Sequence, residues 1–385
     1  MAPPHHTTST ASAAPPPVPS GRSTFTPSAP GWRPAGCGAA PAAAPYNARL
    51  GVLGAHLQPH LRPRQPPSPL PQAAGASGRP PLAPDAFKRR LAGPILSLPT
   101  TFHADLSVNY DAVGRMVRRA RRFGVRIFEL TAGNSKYHVL SYDEIKGVTR
   151  AMVEAAGGIG LTIAATGPWP AEQSLEYARF AESLGADAVQ VLLPEGLEDH
   201  SSQEAEDALV QHFEAIAAGT RLAIVLHGIY TASVMRRLVA IDSVVAMKED
   251  GELTFYIDRI IEFGDQIEIF SGGAENRFLV GYPYGAKAGF STLSGFAPDI
   301  PMRFWQAIRE RDLARAVEIT TAYDHPFIAR FTHEFWHATL EFFGVAERHM
   351  REPFRTISGE EMGEVAEFWS GLGVDPKEYI DAADG

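Results

Sequence analysis

The chain has 385 residues, with 35 Lys+Arg against 44 Asp+Glu and a formal charge of −9. That acidic balance argues against a nucleic-acid binder, which needs a basic face, and no uninterrupted apolar run approaches the ~20 residues that span a bilayer. The single cysteine, Cys37, excludes intrachain disulfides and cysteine-ligated zinc.

These averages conceal a break. Residues 1–84 contain no Asp, Glu or Lys, six Arg and 20 of the 31 prolines, and Asp85 is the first acid. The remainder carries 29 basic against 44 acidic residues, a net −15. The leader is rich in Ala, Pro, Ser, Thr and Gly and has no hydrophobic period. It therefore buries too little apolar surface to offset its chain entropy, and residues 1–86 read as a disordered extension. An acid-free basic leader has the composition of an organelle transit peptide, but its prolines spoil the amphipathic helix such peptides form. No compact apolar stretch follows a basic start, which speaks against a secretory signal. An over-called start site is the plainest alternative.

From residue 87 the sequence alternates regularly. Strand-like runs span 94–102, 126–132, 160–166, 188–194, 221–228, 243–249, 267–272 and 287–293. They are apolar on both faces, as parallel strands beneath helices should be. Between them lie helical patterns. Val113, Met116, Val117, Ala120 and Phe123 form one apolar stripe, and Ile145, Val148, Met152, Val153 and Ala156 form the next. Gly124, Gly185, Gly219, Gly264 and Gly285 each stand between a helical run and a strand, where a left-handed residue closes the helix. Eight such units in about 200 residues predict an α/β fold, a (β/α)8 TIM barrel, over residues 87–300. A doubly wound sheet is the runner-up, but no Gly-x-Gly-x-x-Gly follows the first strand. Residues 301–385 read as a C-terminal helical region, with helices over 302–323, 327–343 and 359–372.

Barrel chemistry sits at the carboxyl ends of the strands. Thr100, Thr101 and His103 lie there after strand one, Glu129 and Gly133 to Lys136 after strand two, and His227 after strand five. Strand six ends in Lys248-Glu249-Asp250, and strand seven in Ser271-Gly272-Gly273. Lys248 is the sharpest of these. It is one of six lysines and sits in the apolar run Val244-Val245-Ala246-Met247-Lys248. Burial disfavours an ammonium and exposes a nucleophilic amine, which forms Schiff bases with carbonyl substrates. A structural lysine paired with Glu249 or Asp250 is the alternative.

Several stretches carry a family resemblance. These are Leu98-Pro99-Thr100-Thr101-Phe102, the loop running to Leu140-Ser141-Tyr142-Asp143-Glu144, residues 243–250, Ser271-Gly272-Gly273 with Gly285-Ala286-Lys287-Ala288-Gly289, and residues 337–353. Together they resemble the dihydrodipicolinate synthase / N-acetylneuraminate lyase family over roughly residues 90–372. The resemblance implies a barrel with a C-terminal helical region, a homodimer or homotetramer, no metal and no organic cofactor. It also implies a strand-six lysine, here Lys248, that forms an imine with a 2-keto acid.

The chain departs from the family pattern around that lysine. The Gly-Thr-Thr-Gly-Glu loop is here Ala132-Gly133-Asn134-Ser135-Lys136, and the Tyr-Asn-x-Pro end of strand five is His227-Gly228-Ile229-Tyr230. His227, where the tyrosine would be, is the candidate proton shuttle, with a core histidine as its alternative. Gly133, Asn134 and Ser135 are candidates for holding the substrate carboxylate. Thr100 and Thr101 are candidates for lining the pocket, or for capping a turn, and Gly272 and Gly273 for letting substrate approach the backbone. Lys136 reads as a solvated loop lysine.

The expected activity is thus a cytoplasmic lyase on a small keto acid, by aldol cleavage or condensation, or by dehydration of a keto-deoxy sugar acid. No nucleic-acid or membrane partner is expected. Three other readings compete. His333-Glu334-Phe335-Trp336-His337 matches the H-E-x-x-H zinc pattern. Glu129, His103, His227, Glu249 and Asp250 are a possible divalent-metal cluster. A non-catalytic ligand sensor would also keep the barrel while losing the family's threonines and tyrosine.

Overall fold

Parallel pairing runs without interruption from β1 to β8 and back to β1, so the sheet closes. The strands are β1 Gly93–Ser97, β2 Ile127–Glu129, β3 Leu161–Ala165, β4 Ala188–Leu192, β5 Ala223–His227, β6 Val244–Glu249, β7 Glu268–Ser271 and β8 Ala288–Phe290. Closure is fixed by Gly93 opposite Ala288 and Ile95 opposite Phe290. The computed structural model describes residues 80–380. Cys37 and most of the expected extension lie outside them.

Side chains alternate across each strand, so every second residue enters the lumen. Ile95, Ile127, Ile163, Ala188, Ala223, Val225, Ala246, Phe270, Ala288 and Phe290 fill it as one buried cluster. Alanines on β4, β5 and β6 make room for the two phenylalanines, whose ring centroids lie 6.1 Å apart. The other faces pack against the helices that follow each strand, in a second and larger cluster. Helix α1, Pro84–Arg90, precedes β1, and its Phe87 and the Leu91 that follows it join the lumen cluster. Leu82, just ahead of this helix, packs against the same cluster.

The helices between strands are α2 Tyr110–Arg122, α3 Tyr142–Ala156, α4 Ala171–Leu184, α5 Gln203–Gly219, α6 Ala232–Leu238, α7 Leu253–Phe263 and α8 Glu275–Gly281. Ser141 opens α3 with a reciprocal capping box: its hydroxyl accepts from the Glu144 N–H at 3.2 Å, and Glu144 Oε2 accepts from the Ser141 N–H at 2.8 Å. Three of the five glycines read as helix stops are left-handed, Gly124, Gly185 and Gly285. The other two are not. Gly264 stays right-handed, its N–H still bonded to the Ile260 carbonyl at 2.9 Å. Gly219 is the last residue of α5, and a Cβ there would come within 2.6 Å of Leu175 on α4. Close helix approach, not chain reversal, requires that glycine.

Beyond β8 the helices are shorter than the periodicity predicts. The run 302–323 splits into α9 Asp299–Glu310 and α10 Leu313–Ile319, because Arg311 turns left-handed and Asp312 caps the next start. A π-turn, Thr320–Asp324, leads into α11 His325–Ala329. Thr332 then caps α12, His333–Phe342, and α13, Met362–Gly371, packs beside it. This region clamps the loop after β2. Arg351 donates to both carboxylate oxygens of Glu144, at 2.6 and 2.9 Å, and to the Val139 carbonyl at 2.9 Å. The loop bearing Gly133 to Lys136 is thereby held from outside the barrel.

Candidate active site at the barrel mouth

The register of β5 on β6 sets His227 opposite Lys248, after an irregularity at Ile224/Val225. Both side chains face the lumen. Lys248 is 5% exposed, and its ammonium group donates to Asp250 Oδ2. His227 Nε2 lies 3.2 Å from Lys248 Nζ and 3.0 Å from the same Asp250 oxygen. The Phe290 ring lies beneath the lysine, its centroid 4.9 Å from Nζ. Burial lowers the pKa of His227, and the charge on Lys248 lowers it further, so the imidazole is neutral and able to accept a proton near pH 7. Burial pushes Asp250 upward, but Lys248 and His227 outweigh it and hold the carboxyl well below its ordinary range. Asp250 Oδ2 thus stands beside both nitrogen groups. The sequence offered Glu249 and Asp250 equally as partners for Lys248. Strand alternation decides between them, since residues 248 and 250 share a face. Glu249 points the other way, where its Oε1 accepts from the Gly251 N–H at 2.5 Å.

The loop after β2 forms the facing wall. Asn134 Nδ2 donates to Ser97 Oγ at 2.9 Å, which brings its amide to the lumen end of β1. A Cβ on Gly133 would meet nothing within 4 Å, so its backbone borders open space. The hydroxyls of the other candidates are engaged with backbone: Ser135 Oγ donates to the Leu98 carbonyl at 2.7 Å, Thr100 to the Ser135 carbonyl at 2.6 Å and Thr101 to the Asn109 carbonyl at 3.3 Å. The bonds of Ser135 with Leu98 and Thr100 fix the loop on the segment that follows β1.

Lys136 is not the solvated residue its loop position suggests. It is fully buried, its Nζ donates to the Asn134 carbonyl at 3.2 Å, and the rings of Trp336 and Phe354 lie 5.6 and 5.8 Å away. Burial lowers its pKa to about 7, with Glu334 opposing the fall. The two histidines of the H-E-x-x-H motif lie beside it. His333 is lowered to about 3 and His337 well below its ordinary value, in both cases by burial and then by the charge of Lys136.

β7 contributes space. A Cβ on Gly272 would collide with Asp250 Oδ1 and stand 3.0 Å from Lys248 Nζ, while Gly273 takes φ +86°. Only glycine lets the β7 backbone approach the lysine this closely. Gly272→Ala should displace the Asp250 carboxylate and lower turnover about 10²-fold, with the protein still folded by circular dichroism. Unchanged kinetics in that variant would show the contact to be idle.

The proposed metal cluster does not assemble. His103 is half exposed and pairs with Glu347 at 2.7 Å, and Glu249 faces away. Among the described residues no three His, Cys, Asp or Glu side chains are placed to hold a metal ion. Tyr230 is no substitute for the family's tyrosine, because it is buried against Phe213, 6.0 Å between ring centroids. Among the described residues no helix is long and apolar enough to cross a membrane.

One lysine thus stands between a histidine and an aspartate at the mouth of a closed (β/α)8 barrel, the end where barrel enzymes carry their chemistry. The chain belongs to the dihydrodipicolinate synthetase family, whose profile matches residues 90–370. It is 30% identical over 253 residues to the probable 5-dehydro-4-deoxyglucarate dehydratase 2 of Streptomyces coelicolor, covering 62% of this chain and 76% of that one. It is 25% identical over 296 residues to a probable 5-dehydro-4-deoxyglucarate dehydratase of Rhizobium meliloti, covering 73% and 96%. Among solved structures, dihydrodipicolinate synthase from Bacillus clausii superposes with a TM-score of 0.66 at 21% identity, covering 75% of this chain and all of that one. N-acetylneuraminate lyase from Mycoplasma synoviae superposes with a TM-score of 0.64 at 19% identity, covering 74% and 98%. At that identity the two structures speak to the fold.

Proposed function

We propose that this barrel is a Schiff-base-forming lyase acting on a 2-keto acid, with Lys248 as the nucleophile. The observation that carries the reading is the placement of Lys248 Nζ. It is nearly buried at the carboxyl end of β6, within 3.2 Å of a neutral imidazole and bonded to a carboxylate. With its ring proton on Nδ1, His227 accepts a proton at Nε2 from the Lys248 ammonium; the amine so freed attacks the keto carbon, and the keto oxygen, protonated by His227 and by the nitrogen's own remaining proton, leaves as water to form the imine. The iminium then draws electrons from the adjacent carbon, and His227 exchanges the proton there. Asn134 and the Gly133 backbone offer donors to the substrate carboxylate. Dehydration of a keto-deoxy sugar acid is the form of this chemistry that the names of the curated relatives favour. A cytoplasmic homo-oligomer, a dimer or tetramer, completes the proposal, and light scattering checks the assembly.

Borohydride trapping across a panel of keto acids, followed by peptide mass mapping, tests the reading. A stable adduct on the peptide containing Lys248 is expected, and its absence with every keto acid overturns the proposal. His227→Ala should still be trapped, while turnover falls about 10²-fold. Undiminished turnover would remove His227 from the mechanism.

A further inference from the structure

Glu129 ends β2 and faces inward, two residues beyond the lumen-filling Ile127. β2 and β6 are four strands apart in an eight-stranded barrel, so Glu129 and Lys248 look at each other across the mouth. The carboxyl is fully buried, and neither of its oxygens has a hydrogen-bond partner. An isolated buried carboxylate is strongly disfavoured, and buried polar groups left unsatisfied call for an explanation. Burial raises its pKa well above the ordinary value; Lys248 opposes this and Asp250 reinforces it. Burial without a partner thus favours the protonated carboxyl, on the wall opposite His227. Neither the family resemblance nor the relatives' names assign it anything.

We propose that Glu129 is the general acid that protonates the departing hydroxyl when a keto-deoxy acid is dehydrated in this barrel. The proposal rests on the imine reading above and chooses between its outcomes. Once Lys248 holds the substrate as an iminium, a base removes the proton from the carbon next to the imine and leaves an enamine. The enamine electron pair moves to form a carbon–carbon double bond, the carbon–oxygen bond one position further breaks, and its electron pair leaves with oxygen. That oxygen takes the proton of Glu129 and departs as water. The Glu129 carboxylate then recovers a proton from solvent, while the proton taken by the base returns to solvent, so the net change is loss of one water. Aldol cleavage asks the opposite of this position, since it requires a base on the same hydroxyl. A buried neutral carboxyl serves elimination.

The test uses the full chain and two probes, 4-hydroxy-2-oxobutanoate and 4-chloro-2-oxobutanoate, because chloride leaves without a proton. Glu129→Gln should eliminate water from the hydroxy acid about 10²- to 10³-fold more slowly. Its elimination of chloride should stay within about 3-fold of the unaltered protein, and so should its borohydride trapping by pyruvate. Glu129→Asp, which keeps an acid, should recover part of the lost rate, and circular dichroism checks that both variants fold. Undiminished dehydration by Glu129→Gln, an equal loss with both leaving groups, or aldol products from the unaltered protein overturns the assignment. If the unaltered protein is not trapped at all, the imine reading fails with it. Normal trapping with undiminished Glu129→Gln dehydration sinks the acid alone.

Discussion

Lys248→Ala is expected to reduce keto-acid turnover at least ~10³-fold and to abolish borohydride labelling of the chain. Two other lysines, on the loop after β2 and just before β8, are engaged elsewhere. Lys136 is buried beneath Trp336 and Phe354, and Lys287 is paired with Glu268 at 2.8 Å. Arginine at 248 would keep the positive charge beside Asp250 but supplies no nucleophilic amine, so Lys248→Arg should be equally inactive while preserving the local ion pairing. That pair of variants separates covalent chemistry from electrostatics. Alanine removes both, and it leaves the Asp250 carboxylate with His227 alone, which should raise the proton affinity of the imidazole. Arginine removes only the chemistry. Substantial turnover in either variant, measured with the keto acid that traps the unaltered protein best, would end the imine reading.

How much of this was legible in the sequence depends on the range of the interaction concerned. The barrel was legible because its strands are buried on both faces and its helices on one, and those patterns are local. Lys248 was legible for the same reason, as a charge inside an apolar run. Its partner was half legible: period two places Asp250 on the lysine's face, while the contact with His227 depends on the cross-strand register of β5 and β6, which slips at Ile224/Val225. Glu129 could be placed at a strand end, but its lack of any partner appears only when the lumen is filled. The threonines were ambiguous because a hydroxyl at a strand end serves a ligand or a backbone carbonyl equally well, and at Thr100 and Thr101 the carbonyls take it. Lys136 was misread outright. Its covering rings stand 200 and 218 residues further along, in a region that local periodicity cannot place against the β2 loop.

That buried lysine yields the second large expected effect. Its pKa is near 7 in the folded protein against an ordinary 10.5. Between those values the unfolded chain holds a proton that the folded chain has released, so stability from this group rises with pH across the window. Below about pH 7 the lysine is charged in both states and the full penalty of burying it stands, about 5 kcal/mol as an upper figure. Above about pH 10.5 it is neutral in both states and the penalty is gone. Lys136→Met keeps the side-chain length and the packing against Trp336 and Phe354 and cannot be charged. It should therefore raise the urea midpoint of unfolding at pH 7 and change it little at pH 10. Comparing variant with parent at each pH cancels the tyrosines and other groups that titrate in the same range. A variant that is no more stable than the parent at pH 7, or that gains equally at both pH values, would mean that Lys136 meets water or a counter-charge in solution. The substitution also removes the bond from Nζ to the Asn134 carbonyl. The stabilised variant should accordingly bind keto acid more weakly, a rise in KM of a few-fold with imine trapping intact, because the loop that presents Gly133 and Asn134 has lost one of its ties.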